Sequence, residues 1–126
     1  MSLKFILSLA LLGALAGPAA AQLAPPTPAV QAAVASQTKR MTQELGLSAE
    51  QQTRLRNVLL LTRQHMDADL ATHHDDPAAL KTAMAFDRAK SDELIRGVLT
   101  PAQYARYQQL KAARIGQLHS TSQVSR

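Results

Sequence analysis

Three side chains stand at a spacing that suits a metal ion. His65, Asp69 and His73 follow one another at four-residue intervals, so a helix would carry all three on one face. Neutral imidazole with carboxylate fits zinc, copper or nickel, and His74, Asp75 and Asp76 follow at the expected end of that helix. A plainer reading stands beside this one. His73 also falls inside an apolar stripe, where a packed histidine is ordinary, and a helix C-terminus favours imidazolium through its dipole alone. A metal-responsive binding protein with zinc as its cofactor is therefore the alternative function, and a metal-free protein the first expectation.

Catalysis has less to stand on. The chain has no cysteine, no glycine-rich phosphate loop, and no Ser or His in a known catalytic signature, so it does not read as an enzyme. Its formal net charge of +5 is spread over Lys and Arg in every segment. Beyond Phe5, Phe86, Tyr104 and Tyr107 are the aromatic residues. Scattered cations with few aromatics make nucleic acid a poor partner. A membrane-surface helix would mass cations opposite an apolar face edged by Trp or Phe, whereas here acids are interspersed and Trp is absent. An interaction protein remains.

Two stretches organise the rest. Leu47-Ser48-Ala49-Glu50-Gln51 and Leu99-Thr100-Pro101-Ala102-Gln103 share Leu, a hydroxyl residue, two variable positions and Gln. Each reads as a helix start in which the hydroxyl accepts a first-turn N–H and Gln reaches back to the cap. Pro101 suits the first helical position, where its missing N–H costs nothing. Leu99 is placed to pack on Tyr104 as a hydrophobic staple, a partnership weakened in the first copy by Gln52. A Gln confined to its own cap is worth less than the hydroxyl residue, unless it also bonds across the helix junction.

The pair resembles the LTxxQ motif of the Spy/CpxP family of small periplasmic envelope-stress proteins. The similarity continues through Leu55-Arg56-Asn57-Val58-Leu59 and Tyr104-Ala105-Arg106-Tyr107, and covers roughly residues 41–118. Ser48 replaces the motif Thr while keeping its cap chemistry, and the spacer between copies is shorter than in well-known members. The resemblance implies an all-α fold of about four helices in an extended hairpin, paired as an antiparallel, cradle-like homodimer. It also implies an ATP-independent chaperone or stress accessory that binds unfolded or misfolded envelope proteins, or a regulator docking on a sensor's periplasmic domain.

The elements that must position these residues can be read in order. Lys4, the apolar run Phe5 to Leu15 and Ala19-Ala20-Ala21 form a signal peptide over residues 1–21, with cleavage after Ala21 and export to the periplasm. Once it is removed, no stable membrane insertion is expected, and without cysteine there is no lipid anchor. Residues 22–27 form a mobile Pro-rich lead-in, and the helical domain spans residues 28–118. The first helix carries Val30, Val34, Met41 and Leu45 and stops at Gly46. The second, from Ser48 to about His74, buries Leu55, Val58, Leu59, Thr62, Met66 and Leu70. The third, about Pro77 to Val98, carries Leu80, Met84, Leu94, Ile95 and Val98 on one face, interrupted by Asp87 and Ser91. A carboxylate there implies a thin or wet core, or a pairing of Asp87 with a nearby Arg. The fourth runs from Pro101 to about Leu118 with Tyr104, Tyr107, Ile115 and Leu118 inward and Arg106 and Arg114 more exposed, and residues 119–126 are a disordered tail.

Leu60 and Leu61 fall off the second helix's stripe. They mark either the homodimer mate or a client-binding patch, together with Arg54, Arg56, Arg63, Arg88 and Arg96 along the two long helices. A short, Ala-rich chain with few aromatics buries little apolar area alone, which favours pairing with a second copy.

Overall fold

The computed structural model describes residues 23–124, with side chains described as far as Gly116. The expected leader over residues 1–21, its expected cleavage point and the side chain of Leu118 lie outside the described residues. The fold is all-α: α1 (Pro28–Leu45), α2 (Ala49–Thr72), α3 (Pro77–Val98) and α4 (Pro101–Val124). Local chemistry accounts for each boundary. Thr27 caps α1 through Val30 N–H, with Pro28 in the first turn. Gly46 closes α1 at φ 67°, the left-handed conformation that a helix stop requires and glycine tolerates best. Asp76 caps α3 through Ala79 N–H, with Pro77 in its first turn. α4 runs past the expected stop near Leu118 as far as Val124, since neither Gly nor Pro follows Leu118 to end it. The lead-in touches α2, where Gln64 donates to the Ala24 carbonyl at 3.2 Å.

α2 packs along both α1 and α3, while α4 meets α1 and α3 over a shorter stretch. The core is Val34 and Met41 of α1, Leu55 and Leu59 of α2, Ile95 and Val98 of α3, and the two motif leucines, Leu47 and Leu99. Leu55 is fully buried at its centre. Thr38 and Ser91 are buried as well; Thr38 can be, because its hydroxyl donates to the Val34 carbonyl at 2.7 Å. The expected stripes are right near the motifs and fail away from them. Leu70 is 47% exposed and Ile115 48% exposed, so neither is a core residue. Both lie far along their helices from the junction, where no further element covers them.

The two motifs meet. Ser48 Oγ accepts Gln51 N–H at 3.2 Å while Gln51 Oε1 accepts Ser48 N–H at 3.0 Å, and Thr100 and Gln103 repeat this reciprocal cap at 3.2 and 3.0 Å. The two glutamine amides then bond each other. Gln51 Nε2 donates to Gln103 Oε1 at 2.7 Å, and Gln103 Nε2 donates to Gln51 Oε1 at 3.3 Å. Their remaining protons cross over. Gln51 Nε2 donates to the Val98 carbonyl that ends α3, and Gln103 Nε2 to the Leu45 carbonyl that ends α1, at 3.1 and 3.3 Å. Each motif thus caps its own helix and satisfies an orphan carbonyl of the helix before the other motif.

These bonds set a stability ranking. Thr100→Ala removes one cap bond and should cost about 1 kcal/mol. Gln103→Ala removes the cap acceptor, the amide pair and the bond to Leu45, and should cost about 2 kcal/mol at a net ~1 kcal/mol or less per bond. Urea denaturation of both variants checks the order. A Gln103→Ala cost at or below that of Thr100→Ala would mean the crossing bonds contribute nothing.

Candidate functional site

The residues expected to hold clients divide among several faces. Leu60 packs against the core, whereas Leu61 is 42% exposed. Leu61 borders a hollow of about 130 Å³ with Thr62, His65, Asp87 and Leu94. Arg54 donates to the Gly97 carbonyl at 3.3 Å and lines a groove of about 380 Å³ between α2 and α3 with Val58, Leu94 and Val98. Arg56 points the other way, as two residues' separation on a helix requires. With Lys39 of α1 it lines a groove of about 550 Å³ along the α1–α2 seam. Arg63 pairs with Asp67 at 3.7 Å, Arg96 stands over the Tyr104 ring at 5.6 Å, and Arg88 is exposed on α3. Phe86, 70% exposed, and Leu70 add apolar surface that the sequence stripes did not mark as exposed.

α4 is fastened mainly by polar groups. Asp92 of α3 accepts the Tyr107 hydroxyl at 3.2 Å and Lys111 Nζ at 2.9 Å. Burial, then the Asp92 charge, push the Tyr107 hydroxyl up to about 12, so it stays a donor. Arg114 Nη2 bonds both Glu44 carboxylate oxygens of α1, at 2.7 and 2.6 Å. Arg114 was expected to be more exposed, but Glu44, seventy residues away in sequence, draws it in. No local pattern in the sequence marks Glu44 as the partner of Arg114, or Asp92 as the partner of Tyr107 and Lys111.

Among the described residues, no three His, Asp or Glu side chains form a group able to hold a metal ion. His73 caps α2, its N–H donating to the Asp69 carbonyl. Asp69 instead meets Asp87 across the α2–α3 seam, with His65 close by. The anomaly of Asp87 in an apolar stripe was legible, but its partner is a second carboxyl group and not an Arg. One oxygen of each carboxyl is shut away from solvent with no hydrogen-bond partner. Desolvation, the hydrogen bond to Asp69 and that residue's charge raise Asp87 to about 6, while His65 pulls it back down.

A pH dependence follows from this direction. A carboxyl group that holds its proton more tightly when folded stabilises the fold fully below its unfolded pKa of 3.8, and loses that contribution as pH rises through about 6. Denaturation midpoints of wild type and Asp87→Asn, measured from pH 4.5 to 7.5, isolate this effect from other carboxylates. Wild type should lose stability relative to the variant across that range. Parallel profiles would mean that the raised Asp87 carboxyl contributes nothing to this pH dependence.

No protein-family model, curated protein or solved structure matches this chain.

Proposed function

We propose that this chain is a periplasmic, ATP-independent holding protein of the Spy/CpxP type that binds unfolded envelope proteins and works as a homodimer. The observation that carries the reading is the joining of the two LTxxQ-like copies. Ser48, Gln51, Thr100 and Gln103 form one hydrogen-bonded junction from residues some fifty positions apart. A family motif whose two copies complete each other has a shared structural task, which supports the resemblance beyond three matched positions per copy.

The surface chemistry supports holding. An unfolded chain exposes apolar side chains and often carries net negative charge. This molecule offers exposed Leu61, Leu70, Phe86 and Ile115 and cations distributed over several faces, an arrangement for weak, fast and unselective capture. Among the described residues, a core of eight buried apolar side chains is small for one domain, which favours a second copy covering part of that surface.

Mature protein at up to equimolar ratio should delay aggregation of an unrelated unfolded protein without ATP, and less well at high salt. Leu61→Ser with Arg63→Ser should weaken protection while leaving the helical circular-dichroism spectrum intact. Full protection by the folded double variant would move the surface elsewhere. Absence of protection over several clients would favour a regulator that docks on a sensor. A zinc-induced rise in melting temperature that His65→Ala abolishes would favour the metal-responsive alternative.

A further inference from the structure

We infer that Asp69 and Asp87 form a pH-sensitive clasp: the pair closes the α2–α3 seam while one carboxyl group holds a proton, and the end of the hairpin beyond it loosens when both are ionised. This is a regulatory device of the fold and does not rest on the holding function proposed above.

Its position gives the pair leverage. Asp69 stands in the last turn of α2, which ends at Thr72, and Asp87 lies midway along α3. The core residues of these two helices, Leu55, Leu59, Ile95 and Val98, all lie on the junction side of the pair. On its other side the chain runs from Leu70 round the turn to Phe86, and no side chain in that stretch is fully buried. Leu80 and Met84 are half-buried there, while Leu70 and Phe86 are exposed. A segment with so little hydrocarbon burial belongs to the least stable part of a fold, so one contact across its base counts heavily.

That contact depends on a proton. Asp87 is hydrogen-bonded to Asp69, and two carboxyl groups can bond only while one of them supplies an O–H. One oxygen of each is closed to solvent and has no hydrogen-bond partner. With both groups ionised the donor is gone, like charges face each other, and the closed-off oxygens carry charge without a partner. Repulsion then replaces the bond.

Among the described neighbours, the permanent cations are committed elsewhere. His65 of α2 is the neighbour that lowers Asp87, and it acts only while protonated. His73, one turn beyond Asp69, is under the same limit. Along α2, Arg63 pairs with Asp67 at 3.7 Å and His74 stands 3.1 Å from Asp75. On α3, Lys90 borders the same hollow as His65 and Asp87 but pairs with Glu93 at 3.6 Å, and Arg88 is exposed. α1, packed against α2, carries no charge before Lys39. The α4 cations Lys111 and Arg114 go to Asp92 and Glu44. His65, Asp69 and His73 do not gather as a metal site, so protons are what titrate the pair. Desolvation first, then the hydrogen bond to Asp69 and its charge, hold Asp87 up at about 6. That lies above the ordinary 3.8, so the closed form is favoured fully at low pH and loses this advantage as pH rises through about 6.

Amide hydrogen exchange on the full chain at pH 5.0 and 7.5 tests this, expressed as protection so that the intrinsic effect of pH cancels. Opening that returns Asp87 from about 6 to 3.8 should lower protection over residues 80–86 about tenfold between the two conditions, while residues 51–60 and 92–98 keep theirs. Asp87→Asn keeps a donor facing Asp69 at every pH and should remove the difference. His65→Gln should leave it in place. Should Asp87→Asn not fold, Asp69→Asn removes one of the two charges and is read in the same way. Carbon-13 titration of the wild-type carboxyl groups follows Asp87 directly and should give a midpoint of about 6. Equal protection at both pH values, a fall that Asp87→Asn shares or that His65→Gln abolishes, a fall spread evenly over all four helices, or an Asp87 midpoint at 3.8 would each overturn the clasp.

Discussion

The paired amides of Gln51 and Gln103 are the constraint on which the rest of this molecule depends. Four helix ends converge at one place, and each brings backbone groups that its own helix cannot satisfy. Two side-chain amides serve them by an exchange: each caps the helix it opens and closes the helix that precedes the other motif. The flanking Leu47 and Leu99, both buried, place an apolar floor under this polar knot. Side chains bonded in one network depend on one another, so a missing member costs more than one isolated bond.

Distance from the junction then explains the gradient along the fold. Near it, α1, α2 and α3 pack Met41, Leu55 and Val98 tightly. Towards the α2–α3 turn, Leu70 and Phe86 open to solvent, and the seam is closed by a pair of carboxyl groups, Asp69 and Asp87, in place of hydrocarbon. On the other side α4 leaves the junction with a firm root and a lightly held body. A frame packed closely at one end and loosely elsewhere is consistent with the proposed holding function.

Caps and breaks were legible in the sequence because they are local. Thr27, Gly46, Ser48, Asp76 and Thr100 act on residues within three or four positions, so their helices could be placed with the motif as a guide. The buried stripes were legible where a helix has neighbours on its apolar side and misleading where it has none, as at Leu70 and Ile115. Periodicity reports what a helix offers, whereas burial depends on whether another element comes to meet it. Contacts between segments far apart in sequence were the least accessible. Nothing local links Arg114 to Glu44 or Asp69 to Asp87, and the candidate client-binding arginines scatter because residues close in sequence point to different faces of a helix. The meeting of Gln51 and Gln103 was visible only as a conditional, through the likeness of the two capped stretches.

A double-mutant cycle on that pair tests the central claim most directly. Urea denaturation of wild type, Gln51→Ala, Gln103→Ala and the double variant gives the interaction energy of the two amides independently of their separate caps. Two mutually bonded side chains in one network should show a coupling of about 1–2 kcal/mol, with the second substitution costing much less than the first. Additive losses, agreeing within about 0.5 kcal/mol, would mean that the two motifs act as separate helix caps and that the junction does not organise the fold.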